Sequence, residues 1–444
     1  MTKILESLGR FLWGAPLLVL ILGVGLFLSI RTGFVQFRLF PKALAFFWEA
    51  LRKKGASYQS LCTALAATVG TGNLVGVAGA ICLGGPGSIF WMWVCGIFGM
   101  ATKYAEATLA VRYREEKKGG PMYMIRKGLD QKWQFLAGSY AFLGFFAAFG
   151  VGNATQINAI VTGIHGLFDQ YGLLPVRYFD VVLGIFLAAL MGILLSGGGK
   201  RIGQAAQKLV PVASLGYILL CIGVLILRLD RVPDALCSIF QGAFSPKAVT
   251  GGLIGSCFAA LRVGCARGVF TNEAGMGTAS IAHALSDVSH PAQQGLMGIM
   301  EVFLDTILIC TLTALAILSS GVPIPYGMDA GGMLTTQSFS AVYGSWVSVF
   351  LAAALCCFAV ATVLGWSLYG GRCAEFLFGS RGWRIFIFLQ TVTVFLSTLS
   401  EPGPVWLVAE IFNGLMAVPN LIALAALSPE LRRLTIEFKE KSGI

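Results

Sequence analysis

Ala66-Ala67-Thr68-Val69-Gly70-Thr71-Gly72-Asn73-Leu74-Val75-Gly76 lies inside an apolar run from Leu61 to Leu83. A helix crossing lipid must satisfy its own backbone, because hydrocarbon offers no partner for a free N–H or C=O. Here Gly70 and Gly72 flank Thr71, and Asn73 follows at once. Glycines and small polar side chains weaken a helix where a spanning segment tolerates it least. Backbone released at that depth is accepted where it is buried in protein or faces a water-filled cavity, and such discontinuous helices form the midplane sites of secondary transporters. Small residues also serve close helix packing. Thr71 and Asn73, together with a second interruption downstream, favour a site.

The surrounding composition agrees with a membrane setting. Of 444 residues, 56% are hydrophobic and 12% charged, with 56 glycines, and the mean hydropathy is +0.78. Those values describe a polytopic α-helical membrane protein, not a soluble domain. The net charge of +11 could suggest a nucleic-acid partner, but the basic residues cluster between apolar runs, which membrane topology explains better. The 11 cysteines show no CxxC pair or Cys/His ligand spacing and read as small buried residues. Met1 to Arg10 precedes an apolar run without a cleavage pattern, so the first helix is expected to remain uncleaved.

A span needs roughly 20 apolar residues. That places segments near 13–31, 60–84, 87–111, 135–164, 179–197, 207–228, 250–284, 293–320, 342–371, 383–400 and 403–427. Arg31, Arg38, Lys42, Arg52, Lys53 and Lys54 follow the first segment; Arg112, Arg114, Lys117, Lys118, Arg126, Lys127 and Lys132 follow the third. Further basic groups at 200–208, 372–384 and 432–441 fall on the same side. The excess puts that side in the cytoplasm, the N-terminus outside and the C-terminus inside.

The expected architecture is all-α: about eleven transmembrane helices, one N-terminal helix plus a 5+5 inverted repeat with two broken helices. Residues 1–59 would hold the first helix and a basic loop, 60–228 the first repeat, 229–249 an extracellular linker, 250–427 the second repeat and 428–444 a cytoplasmic tail. The second break lies in the seventh segment, where Gly268, Gly275 and Gly277 surround Phe270, Thr271, Asn272 and Glu273. An odd number of helices per half forces the halves to enter the membrane in opposite senses.

Polar residues within these runs are the candidate functional groups. A carboxylate at membrane depth costs several kcal/mol unless paired, so Glu273 calls for a cation, with Arg267 and Lys103 as candidates. Lys103 and Glu106 share a helical face and suit a gate or a tie within the bundle. Gln156 and Asn158 suit the carboxylate or ammonium of a zwitterion, or an interhelical hydrogen bond. Asp305 could serve a cation or pair with an arginine such as Arg262. Thr362 and Trp366 combine a hydroxyl with an aromatic wall, and a hydroxyl could join free carbonyls around a hard cation. The histidines show no ligand spacing. No phosphate-binding loop and no converging nucleophile and base are present, which argues against ATP-driven transport and against an enzyme.

These residues resemble the alanine or glycine:cation symporter family, the sodium:alanine symporters. The likeness is most specific at Gly70–Ala80, Gly84–Trp93, Gly99–Glu106, Arg267–Gly277 and Gly365-Trp366. It implies Na⁺-coupled uptake of a small neutral amino acid through a leucine-transporter-like fold, with an additional first helix and no cofactor. Carried over residue by residue, it makes Thr71, Gly72 and Asn73 carboxylate binders, matches Gln156 and Asn158 to a Gln-x-Asn motif, and makes Phe270 and Trp366 walls. Carbonyls near Ala66 and Val69 would hold Na⁺ with Thr362, although Ala361 stands where the family often has a serine. The competing expectation is a proton-coupled carrier using Glu273 or Asp305.

Overall fold

The computed structural model describes residues 2–173, 178–245, 247, 250–251, 256–328, 330–400 and 403–442. Among these, helix is the only regular structure apart from one bridge between Glu115 and Lys118. The principal helices in chain order are α1 (Ala15–Arg31), α2 (Ala56–Thr68), α3 (Val77–Gly84), α4 (Gly87–Tyr113), α5 (Gln134–Phe149), α6 (Thr155–Gln170), α7 (Phe179–Ser196) and α8 (Gly198–Leu227). They continue as α9 (Cys257–Asn272), α10 (Thr278–His283), α11 (Pro291–Val302), α12 (Thr311–Ser320), α13 (Val347–Phe378), α14 (Ser380–Thr398) and α15 (Gly403–Ala426).

The apolar runs picked out in the sequence are, over the described residues, mostly helical. Among the described residues, six helical runs are long and apolar enough to cross a bilayer, and α2 with α3, bent by 51°, makes a seventh. The burial pattern is that of a membrane protein. Val182, Phe186, Ile193, Val212 and Leu219 are exposed on α7 and α8, whereas Lys103, Glu106, Glu301 and Asp305 are wholly buried. Apolar side chains face outward because lipid, unlike water, does not penalise them.

Sequence reading placed a basic loop after the first helix, but Phe40–Lys53 is an amphipathic helix. Further surface helices cover Val232–Phe244, Gly331–Tyr343 and Ser428–Lys441. Their polar faces hid them from a search for spans. The linker expected at 229–249 and the start of the seventh segment at 250 lie partly outside the described residues.

Four wide turns and breaks shape the interior. α2 ends at Thr68, Val69 turns extended (ψ 105°), and a π turn over Gly72–Gly76 leads into α3. A second π turn, Gly150–Ala154, joins α5 to α6, and a longer one, Phe303–Cys310, joins α11 to α12. Between α9 and α10, Glu273, Gly275 and Gly277 all take positive φ (52°, 93° and 79°). That backbone suits glycine but strains a glutamate, so surrounding contacts must hold Glu273 there.

Candidate functional site

The first break is held by its own asparagine. In an unbroken helix the Gly70 N–H would donate to the Ala66 carbonyl. Instead it donates to Asn73 Oδ1 at 2.8 Å, so Ala66 loses its helical donor. Thr71 and Gly72 then open the next helical stretch, where N–H groups have no partner in a preceding turn. α13 passes close by: a Cβ on Gly365 would stand 2.8 Å from Ala67 Cβ, and one on Gly70 would stand 2.8 Å from Thr362 Oγ1. The Thr362 hydroxyl donates to Phe358 C=O, leaving its oxygen lone pairs available beside the break.

The second break is clamped from α4 and α15. Glu106 Oε1 accepts from the N–H groups of Gly275 and Gly277, each at 3.0 Å, and from Asn420 Nδ2 at 2.8 Å. Asn420 Nδ2 also donates to Gly275 C=O, and the Tyr140 hydroxyl to Met276 C=O. Glu273, expected to need a cation, is bound by neutral donors: Trp366 Nε1 at 2.9 Å and the Thr278 hydroxyl at 2.6 Å.

Asp305 joins the two breaks. Its Oδ1 accepts from Asn73 Nδ2 at 2.8 Å, its Oδ2 accepts from Thr306 Oγ1 at 2.8 Å, and Thr306 Oγ1 in turn accepts from Asn272 Nδ2 at 3.1 Å. The partner is thus an asparagine, where sequence reading offered an arginine. Lys103 likewise pairs with Glu301 (2.9 Å), a residue sequence reading passed over, and not with Glu106. Glu301 also accepts from His283. Gln294 Nε2 faces His283 Nδ1 at 2.7 Å and its Oε1 accepts from the Ser57 hydroxyl. An amide N–H can only donate, so His283 carries its proton on Nε2, toward Glu301. Replacing Lys103 with methionine is expected to destabilise the protein by about 3–5 kcal/mol by stranding Glu301. Adding Glu301→Gln should recover part of that loss in a detergent thermal-unfolding measurement.

Between the breaks lies a tight cavity lined by Ala67, Thr68, Gly70, Thr71, Gly72, Val151, Gln156, Phe270, Glu273, Thr362, Trp366 and Asn413. Six of the predicted binding residues, Thr71, Gly72, Gln156, Phe270, Trp366 and Thr362, therefore converge. Asn73 does not line it, its amide being committed to Gly70 and Asp305. Asn158 lines a separate cleft, with Leu74, Thr155 and Thr162, toward the membrane face opposite the basic loops. Cavity and cleft are lined from the same two stretches: Thr71 and Gln156 face one, Leu74 and Thr155 the other. The cleft offers about 530 Å³ and the cavity about 20 Å³. Asn413 was missed, although an asparagine within an apolar run was the available signal; its Oδ1 is buried and unpartnered. Ala66 and Val69 are buried beside the break, and Arg267 belongs to α9.

A small polar cavity clasped between two interrupted helices, deep in a bundle with a lipid-facing exterior, defines a multi-pass membrane transporter. A family model described as the sodium:alanine symporter family matches residues 1–443. The sodium/alanine symporter AgcS of Methanococcus maripaludis is 40% identical, over 99% of this chain and 97% of that protein. The probable sodium/glutamine symporter GlnT of Bacillus subtilis is 36% identical, over 96% and 89%. The crystal structure of MhsT in complex with L-phenylalanine aligns with a TM-score of 0.54 at 14% identity, covering 85% of this chain and 95% of that one, a likeness of fold. This chain belongs to the sodium:alanine symporter family; it is a transporter with a leucine-transporter-like fold, not an enzyme.

Proposed function

We propose that this protein imports small neutral amino acids, alanine and glycine foremost, by Na⁺-coupled symport with alternating access. The observation that carries this reading is the cavity itself: one narrow space bounded by both breaks, by Thr362 and by the Trp366 and Phe270 walls. The substrate carboxylate would meet the opening N–H groups at Thr71 and Gly72, where a helix start favours an anion, with Gln156 alongside. The ammonium would meet Glu273 and the unpartnered Asn413 Oδ1. Na⁺, a hard cation suited to carbonyl and hydroxyl oxygens, would sit between the carbonyls at Ala66 and Val69 and the Thr362 hydroxyl. Asn73 would act by shaping the first break, and Asn158 by lining the approach. Lys103, Glu106, Arg267, Glu273 and Asp305 would hold the bundle.

Binding of Na⁺ between α2 and α13 would favour one of two conformations, and only such differential affinity couples ion to substrate. The likeness to AgcS supports both partners; GlnT argues that the walls, not the family, set substrate size. The halves 60–228 and 250–427 would form the inverted repeat, with the cleft opening outside and the basic face, including the C-terminus, in the cytoplasm.

The test is labelled L-alanine uptake into proteoliposomes with an inward Na⁺ gradient or with K⁺ in its place, with unlabelled glycine, leucine and glutamine as competitors. Na⁺-dependent uptake competed by glycine but not leucine is expected. Uptake that follows a pH gradient and ignores Na⁺ would overturn the ion assignment in favour of a proton. Gly70→Ala, whose methyl group would press on Thr362 Oγ1, should raise the Na⁺ concentration for half-maximal uptake by on the order of tenfold or more, in line with about 1–3 kcal/mol of overpacking.

A further inference from the structure

We propose that the pocket where the end of α1 meets the helix Ser428–Lys441 binds the phosphate headgroup of an anionic lipid. The pocket, about 410 Å³, is lined by Ile30, Arg31, Thr32, Gly33, Arg38, Arg432, Thr435, Ile436 and Lys439. Four cations face it and no carboxylate does.

The chain brings these charges together by a sharp turn. Gly33 and Phe34 both take positive φ (68° and 54°), and the turn folds the Arg38 guanidinium back against Gly33, beside Arg31. The capped end of α1 does not need them: its carbonyls at Leu28, Ile30 and Ser29 already accept from Thr32, Gly33 and Phe34. A helix C-terminus attracts cations through its dipole, which accounts for Arg31 and Lys439. It does not account for Arg432, near the start of its helix.

Several cations elsewhere on the same face find carboxylate partners. Arg112 and Arg433 pair with Glu430, Arg126 and Lys127 with Glu115, and Lys118 and Arg372 with Glu375. Among the described residues none of the four pocket cations does so, and Arg31 Nε is buried with no hydrogen-bond partner. Burial, with Arg38 close by, pushes the Lys439 ammonium below its ordinary pKa, as expected for like charges gathered without a counterion.

The rim decides between a lipid and a free anion. Ile30 and Ile436, both exposed, line the pocket, and the centroid of the exposed Phe27 ring lies 5.9 Å from the Arg31 guanidinium, so the cations adjoin apolar side chains. A phosphodiester headgroup with attached chains satisfies both, whereas inorganic phosphate satisfies only the first. Basic pockets at the ends of membrane helices recognise anionic headgroups by this combination of charge and position.

The test is native mass spectrometry of the full-length, delipidated protein titrated with phosphatidylglycerol or phosphatidylcholine. Wild type should retain phosphatidylglycerol preferentially. Arg38→Gln with Lys439→Gln should bind it roughly thirtyfold more weakly, given about 1 kcal/mol per basic residue at an anionic surface. Arg381→Gln with Arg384→Gln, which removes the same charge from α14, should leave it unchanged. Arg432→Gln alone provides a milder variant should the double one fail to fold. Equal retention by the pocket variants and wild type would overturn the proposal, as would equal loss in the α14 variant. Displacement of the lipid by inorganic phosphate at equal concentration would overturn the lipid assignment.

Discussion

Gly152→Ala is expected to abolish uptake and to lower stability by about 1–3 kcal/mol, the range for overpacking a filled interior. Gly152 lies in the π turn between α5 and α6, and a Cβ there would fall 2.2 Å from Trp366 Cβ and 2.4 Å from its Cγ. Neither neighbour can move freely. Asn153 is anchored by its Nδ2 to Gln390 C=O, and Trp366 is held through Nε1 by Glu273. The added methyl must therefore displace the indole, release Glu273 and reshape the cavity wall together. Combining Gly152→Ala with Trp366→Gly should cost less stability than the sum of the two, because the clash is removed together with the Cβ and ring of Trp366. Additive thermal-unfolding losses across that cycle would refute the contact as the cause.

Asp305 yields the second large effect, and two substitutions separate its roles. Asp305→Ala leaves the Thr306 hydroxyl without its acceptor in a buried site, at about 1–3 kcal/mol. It also takes the carboxylate from Asn73 Nδ2, which keeps only the Asp305 carbonyl at 3.2 Å and Cys310 Sγ at 3.3 Å, and frees both breaks from their common support. Uptake should fall below detection. Asp305→Asn retains an acceptor for Asn73, and Thr306 can turn from donor to acceptor toward the new amide. Measurable Na⁺-dependent uptake should therefore survive. Its complete loss in the Asn variant, with the protein still folded by size-exclusion profile, would show that charge at Asp305 is required and would revive the proton-coupled reading.

Much of this was legible in the sequence, for reasons tied to particular residues. Gly70, Gly72, Gly275 and Gly277 advertise the breaks because glycine is costly in a spanning helix, and Thr71, Gln156, Thr362 and Trp366 stand out against apolar neighbours, whereas Phe270 followed only from the family resemblance. What periodicity could not supply was pairing between distant segments. Glu273 looked like a charge in need of a cation, yet an indole and a hydroxyl bind it. Lys103 and Glu106 share a helical face and suited a gate or a tie within the bundle, and Lys103 was a candidate partner for Glu273, yet Lys103 reaches Glu301 and Glu106 reaches the second break. Such choices depend on how helices cross, which one-dimensional spacing does not encode. Asn73 shows the same limit: its position beside the break was evident, but its side chain turns back to shape the backbone and away from the cavity.

The π turn over Phe303–Cys310 has a further consequence, for insertions and deletions. An α-helix advances about 100° per residue, and a π turn accommodates an extra residue within the helix. That extra residue lets Glu301 meet Lys103 and His283 on one side while Asp305 and Thr306 meet the asparagines of both breaks. Removing a single residue between Glu301 and Asp305 would rotate one set of contacts by roughly a quarter of a circle relative to the other. No choice of side chain could then restore both, so this helix should tolerate many single substitutions in its apolar positions and yet accept no change in its length.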